Sequence, residues 1–108
     1  MKRHYNYIRE KLSGAIYNLV VLPGDIRKRL LYAYMEFHTL KREYFPKELQ
    51  DDWEWIISQL TRYEPEYDEE GNIVFGSVEN TLRFIKNKTG SKIAERIYML
   101  YVRMKEEE

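Results

Sequence analysis

Residues 5–22 read Tyr5-Asn6-Tyr7-Ile8-Arg9-Glu10-Lys11-Leu12-Ser13-Gly14-Ala15-Ile16-Tyr17-Asn18-Leu19-Val20-Val21-Leu22. Within them Tyr5, Ile8, Leu12, Ala15, Leu19 and Leu22 recur at spacings of 3, 4, 3, 4 and 3. That spacing gathers the six side chains on one stripe of an α-helix, whereas a strand would alternate in twos. Two further segments obey the same rule. Ile26, Leu30, Ala33, Phe37, Leu40 and Tyr44 form one stripe, and Leu49, Trp53, Ile56, Leu60 and Tyr63 form another.

The residues between these stripes supply stops and starts. Leu22-Pro23-Gly24-Asp25 ends the first helix, because a residue before proline avoids helical geometry. Asp25 is expected to cap the second helix by accepting a backbone N–H. Pro46 ends the second helix and suits the first turn of the third. Pro65 closes the third. Ser77 is expected to cap a fourth helix carrying Val78, Leu82 and Ile85 on one face. Thr89-Gly90-Ser91 reads as a break, with Gly90 in the left-handed position after a helix and Ser91 capping a fifth. The fifth stripe is Ile93, Ile97, Leu100 and Met104. The spacing therefore predicts helices over 4–21, 26–45, 47–63, 78–88 and 92–105. Residues 64–77 form a long acidic loop, and Tyr67 with Ile73-Val74-Phe75 around Gly71-Asn72 would suit a short hairpin.

The expected fold is all-α, a compact bundle of four to five helices built as one domain over residues 1–108. Its predicted core includes Leu30, Phe37, Trp53, Ile56, Leu60, Leu82, Ile97 and Leu100. At 108 residues the chain buries roughly 65% of its unfolded surface, enough to fold without metal or disulfides. It has no cysteine, which removes disulfide frameworks and thiol nucleophiles. No apolar run approaches the roughly 20 residues of a membrane span. Basic residues at Met1-Lys2-Arg3-His4 are not followed by an apolar stretch, so no secretory signal is expected there and a cytoplasmic location is.

The formal net charge is zero, yet charge is distributed in blocks. Residues 1–47 carry net +6, residues 48–79 net −9 and residues 80–105 net +6. One reading has the acidic block lying between the two basic ones and neutralising them. The other has a dipolar surface offering a basic face to nucleic acid or to an acidic partner. Arg27, Lys28 and Arg29 crowd the first turn of the second helix, where the dipole disfavours cations by a few tenths to ~1 kcal/mol each. The carbonyls ending the first helix, one Pro-Gly turn away, are the expected remedy. Docking of an anion or acidic partner at these three residues is the alternative.

Side chains that carry chemistry are sparse. His4 and His38 stand alone, without the spacing of metal ligands, so no zinc site is expected. His38, beside the second stripe near Tyr34, is expected to be half-buried. Ser13, Ser58, Ser77 and Ser91 lack a nucleophile elbow, and the five glycines form no phosphate loop. Aligned to a calcium loop, Glu66, Asp68 and Glu70 occupy the first, third and fifth positions. The twelfth is Ser77, where a bidentate glutamate is required. A helix-turn-helix centred on Gly90 fails at Lys86 and Arg96, where small and branched residues are needed. No catalytic residue, metal or cofactor is expected.

What remains is apolar excess. Residues 15–22 are apolar at every position except Asn18. A turn that is apolar all round is either central or an interface. Tyr17, Val21, Tyr98 and Tyr101 are the expected interface residues. The function expected from sequence is a non-catalytic protein-interaction or regulatory module, self-associating as a homodimer or binding a protein partner. The alternative is nucleic-acid binding through the basic, Tyr-rich helix faces.

Overall fold

The computed structural model describes residues 4–107. Residues 1–3 and Glu108 lie outside it, and with them part of the basic amino-terminal stretch and of the acidic tail. The elements run α1 (Tyr5–Val21), α2 (Ile26–Phe37), α3 (Gln50–Leu60), β1 (Glu66–Tyr67), β2 (Ile73–Phe75), α4 (Ser77–Phe84) and α5 (Asn87–Glu106). Two single 3₁₀ turns, Arg42–Tyr44 and Lys47–Leu49, connect α2 to α3. Over the described residues the fold is an all-α bundle of five helices with one two-stranded antiparallel hairpin.

All eight of the expected core residues are buried. They share one cluster with Ile8, Leu12 and Ala15 of α1 and with Ile93 and Met104 of α5. α1 packs most extensively on α2 and next on α5. Arg9 fixes the α1–α5 pairing by donating from Nε to the Met104 carbonyl at 2.8 Å. The start of α1 therefore lies beside the end of α5. Phe37 meets Trp53 edge to face and Trp53 stacks on Phe45, with centroids 5.4 and 5.0 Å apart, which joins α2, α3 and their connection.

The second helix is shorter than its stripe predicts, ending at Phe37 rather than residue 45. Pro46 forces Phe45 into extended geometry, with ψ at 151°. Leu40 and Phe45 are both buried. In one continuous α-helix, positions five apart diverge by about 140° and could not both face the core. Breaking the helix resolves that conflict. His38, at the end of α2, is exposed rather than half-buried and leans on Tyr34. Helix α3 likewise starts and stops inside its predicted bounds, with the Lys47–Leu49 turn leading into it.

The fourth break falls at Ile85-Lys86, not at Thr89-Gly90-Ser91. Both Ile85 and Lys86 are extended, with ψ of 157° and 159°. Helix α5 begins at Asn87 and runs through Gly90, which is buried. The glycine serves close approach rather than a left-handed turn. A Cβ built there would lie 3.0 Å from Ile26 Cγ2 and 3.4 Å from Leu30 Cδ1, so α2 and α5 touch where the side chain is missing. Gly24, at φ +103°, does supply a left-handed position in the turn between α1 and α2.

Ser77 does not cap α4, since Gly76 takes that place. The Ser77 hydroxyl donates to the Tyr63 carbonyl at 2.7 Å. Thr81, fully buried, accepts from the Tyr63 N–H at 2.8 Å, and Asn80 donates to the Glu64 carbonyl at 2.8 Å. One face of α4 thus clamps the end of the third helical segment.

The hairpin pairs Glu66 with Phe75 and Tyr67 with Ile73, which leaves Val74 as an irregularity in the register. Its turn is organised by Asp68, whose carboxylate accepts from the N–H groups of Glu70 and Asn72, each at 2.9 Å. Those bonds, led by that from Asn72, hold the Asp68 carboxyl below its ordinary pKa. The carboxylate is committed to its own backbone, and Gly71 completes the turn at φ +84°.

Candidate functional site

Asp25 caps α2 as expected, accepting from Arg27 N at 3.0 Å and Lys28 N at 3.2 Å. The three cations that follow diverge. Arg29 turns back to the end of α1, donating to the Leu19 carbonyl at 2.6 Å and the Gly24 carbonyl at 3.0 Å. This is the remedy expected from the sequence. Arg27 pairs with the Asp25 carboxylate at 3.0 Å and donates to the Ile85 carbonyl at 3.3 Å. It thereby ties the start of α2 to the junction of α4 and α5. Lys28 is exposed and has no carboxylate partner among the described residues.

Arg27 and Lys28 also edge a groove between α2 on one side and α4 with β2 on the other. It consists of two depressions of about 450 and 420 Å³ that share Leu31 and Glu79. The first is floored by Leu31, Phe75 and Leu82 and rimmed by Arg27, Lys28 and Arg83. The second continues along Tyr34, Met35 and Val78. The Arg83 guanidinium lies 3.9 Å from the Phe75 ring centre and 3.4 Å from the Glu66 carboxylate. An apolar floor with cations at one end suits recognition of side chains.

The acidic block does reach the basic ones, but only through arginines. Asp52 meets Arg96 at 3.3 Å, Glu54 meets Arg42 at 3.3 Å, and Glu66 meets Arg83. Among the described residues no lysine forms an ion pair.

The residues expected at an interface are distributed over α1 and α5. Tyr17 is 60% exposed and Val21 53%, and Val20 between them reaches 75%. Helix α1 is therefore not the enclosed central helix that its apolar run also allowed. Tyr98 on α5 is 53% exposed. Tyr101 is half-buried against the core, with the Lys105 ammonium 5.4 Å from its ring centre. Val20, Phe84 and Met99 are exposed apolar residues that sequence reasoning did not single out, whereas Met35, also exposed, stood out as apolar excess off the second stripe. Val20 was signalled by the run at 15–22, whereas Phe84 gave no sign, because its exposure follows from the chain turning extended one residue later.

His4 stacks on Tyr44 at 4.0 Å. Among the described residues no three His, Asp or Glu side chains converge as a metal site would need. No helix among them is long and apolar enough to cross a membrane. Compared with known proteins, the chain matches no family model, no curated protein and no solved structure.

Proposed function

We propose that this protein is a small non-catalytic interaction module, acting in the cytoplasm without a cofactor, that pairs with a second copy of itself through the outer face of α1. The observation that carries this reading is the exposure of Tyr17, Val20 and Val21. They lie in residues 12–24, which contain no charged side chain although a third of the chain is charged. An uncharged apolar face suits a two-fold contact, because near the axis each residue meets its own copy and a charge would meet its like.

The magnitudes favour a modest affinity. Fully burying one valine side chain is worth ~1.5–3 kcal/mol. A helix of this length presents a face of about 25 by 10 Å, well short of the ~800 Å² per partner of a standard interface. Helix α5 packs beside α1, and its exposed Tyr98 and Val102 would supply further area. Dimerisation in the micromolar range is the expected result.

Sedimentation equilibrium over the micromolar range tests this. The wild-type chain should approach twice its 13.3 kDa mass. Val20→Glu and Val21→Glu should remain helical by circular dichroism and sediment as monomers. A wild-type mass of one chain at the highest concentration overturns the proposal.

A further inference from the structure

The groove between α2 and the wall formed by α4 and β2 supports a second kind of recognition, independent of self-association. Its two depressions share Leu31 and Glu79, so they form one continuous surface. Both are open to solvent, which suits side chains laid along a surface more than a small molecule that must be enclosed. Leu31 and Phe75 floor the first, and Met35 and Val78 line the second. Leu31 and Met35 lie one turn apart on α2, about 6 Å along its axis. An extended chain sets alternate side chains on one face at nearly that interval, about 7 Å.

Glu79 decides how a peptide lies there. It is exposed where the depressions meet and forms no ion pair among the described residues. The apolar face of a partner helix would cover this carboxylate and give it no donor, which is costly. An extended segment brings free backbone N–H groups that can donate to it. Lys28 decides the charge of the occupant. Of the three cations that open α2, Arg27 has Asp25 and the Ile85 carbonyl, and Arg29 has the carbonyls that end α1. Lys28 stands in the same unfavourable dipole without an ion pair among the described residues. Asp25 is already held by two backbone N–H groups and by Arg27. Arg83 lines the same depression as Lys28. Its Nη1 serves Glu66 and Asn80, while Nε and Nη2 have no hydrogen-bond partner among the described residues. Spare donors at one end and a carboxylate in the middle select an occupant with an acid at the Lys28 end and none beyond it.

We propose that this groove binds an extended peptide segment of a partner protein. A carboxylate of the segment meets Lys28 and Arg83, and apolar side chains at the two alternate positions beyond it rest on Leu31 with Phe75 and on Met35 with Val78. Isotope-labelled full chain is titrated with the end-blocked peptides Asp-Ser-Leu-Ser-Leu and Leu-Ser-Leu-Ser-Asp, which cover both chain directions. The amide signals of Leu31, Met35, Phe75 and Glu79 should shift and saturate with one of them. Lys28→Glu, at an exposed position, should weaken that peptide at least about tenfold. The same variant should bind the peptide carrying lysine for aspartate more tightly than wild type does. Met35→Asp, also at an exposed position, should weaken binding about tenfold. Val20→Glu, which removes the proposed α1 contact, should bind as wild type does, so failure of self-association and failure of this site are read separately. Absence of saturable shifts with both peptides overturns the proposal. So does equal wild-type affinity for the lysine peptide, or binding indifferent to Lys28→Glu.

Discussion

The Arg29 guanidinium donates to the carbonyl oxygen of Leu19 at 2.6 Å and thereby caps α1 from the first turn of α2. A cation poorly placed for its own helix is well placed for the preceding one. Arg29→Leu should leave that carbonyl without its partner and cost ~1–3 kcal/mol, read as a lower urea midpoint. Arg29→Lys should recover only part, because an ammonium cannot span the Leu19 and Gly24 carbonyls as the planar fork does.

Asp25 couples the same turn to pH. Its carboxyl sits below the ordinary carboxylate range, chiefly because the Arg27 side chain donates to it and secondly because the Lys28 N–H does. The fold favours the ionised form, so its contribution is fully present above the unfolded pKa of about 3.9 and is lost as pH falls through the lower folded value. Asp25→Asn should lower the urea midpoint by a constant amount near neutrality. The gap to wild type should narrow below about pH 4. A gap that is unchanged down to pH 2 would contradict the assignment.

Gly90 and Ile26 should behave as a coupled pair. Alanine in a helix interior is favoured over glycine by about 1 kcal/mol. At position 90 the new Cβ meets Ile26 Cγ2 at 3.0 Å, which offsets that gain. Gly90→Ala should therefore be near neutral in the wild-type chain and stabilising by about 1 kcal/mol in an Ile26→Ala background. Gly90→Val should cost ~1–3 kcal/mol by forcing α5 from α2. Thermal or urea unfolding of the four-variant cycle measures the coupling.

Thr81 holds the third helical segment through one buried bond. Thr81→Val preserves shape but leaves the Tyr63 N–H without its acceptor, at a cost of ~1–3 kcal/mol. Thr81→Ser keeps the hydroxyl and should lose less. Hydrogen exchange at the Tyr63 amide should accelerate in Thr81→Val and stay slow in Thr81→Ser.

The sequence was legible where one physical cause acted alone. Stripes of threes and fours located every helix, and Asp25 announced its cap, because both are local. Reading failed where two causes competed. Leu40 and Tyr44 continued the second stripe, but Phe45 also had to reach Trp53, and tertiary packing ended the helix early. Gly90 carried the mark of a helix end, yet its missing side chain answers to Ile26, which is 64 positions away in the chain. The candidate sites were legible in part. Arg29 found the expected carbonyls, and Val21 and Tyr98 reached the surface. Tyr101 was drawn against the core.

The Arg9–Met104 bond links residues separated by most of the chain. Helix α5 supplies Ile93, Ile97, Leu100 and Met104 to the core that α1 begins. During synthesis, the apolar stripes of α1 to α4 must therefore wait without their last partner. Closure over so long a loop is slow compared with helix formation. The nascent chain exposes Ile8, Leu12 and Leu30 until α5 clears the ribosome, and that interval is when it is most open to chaperones and to misassembly with a neighbouring nascent copy.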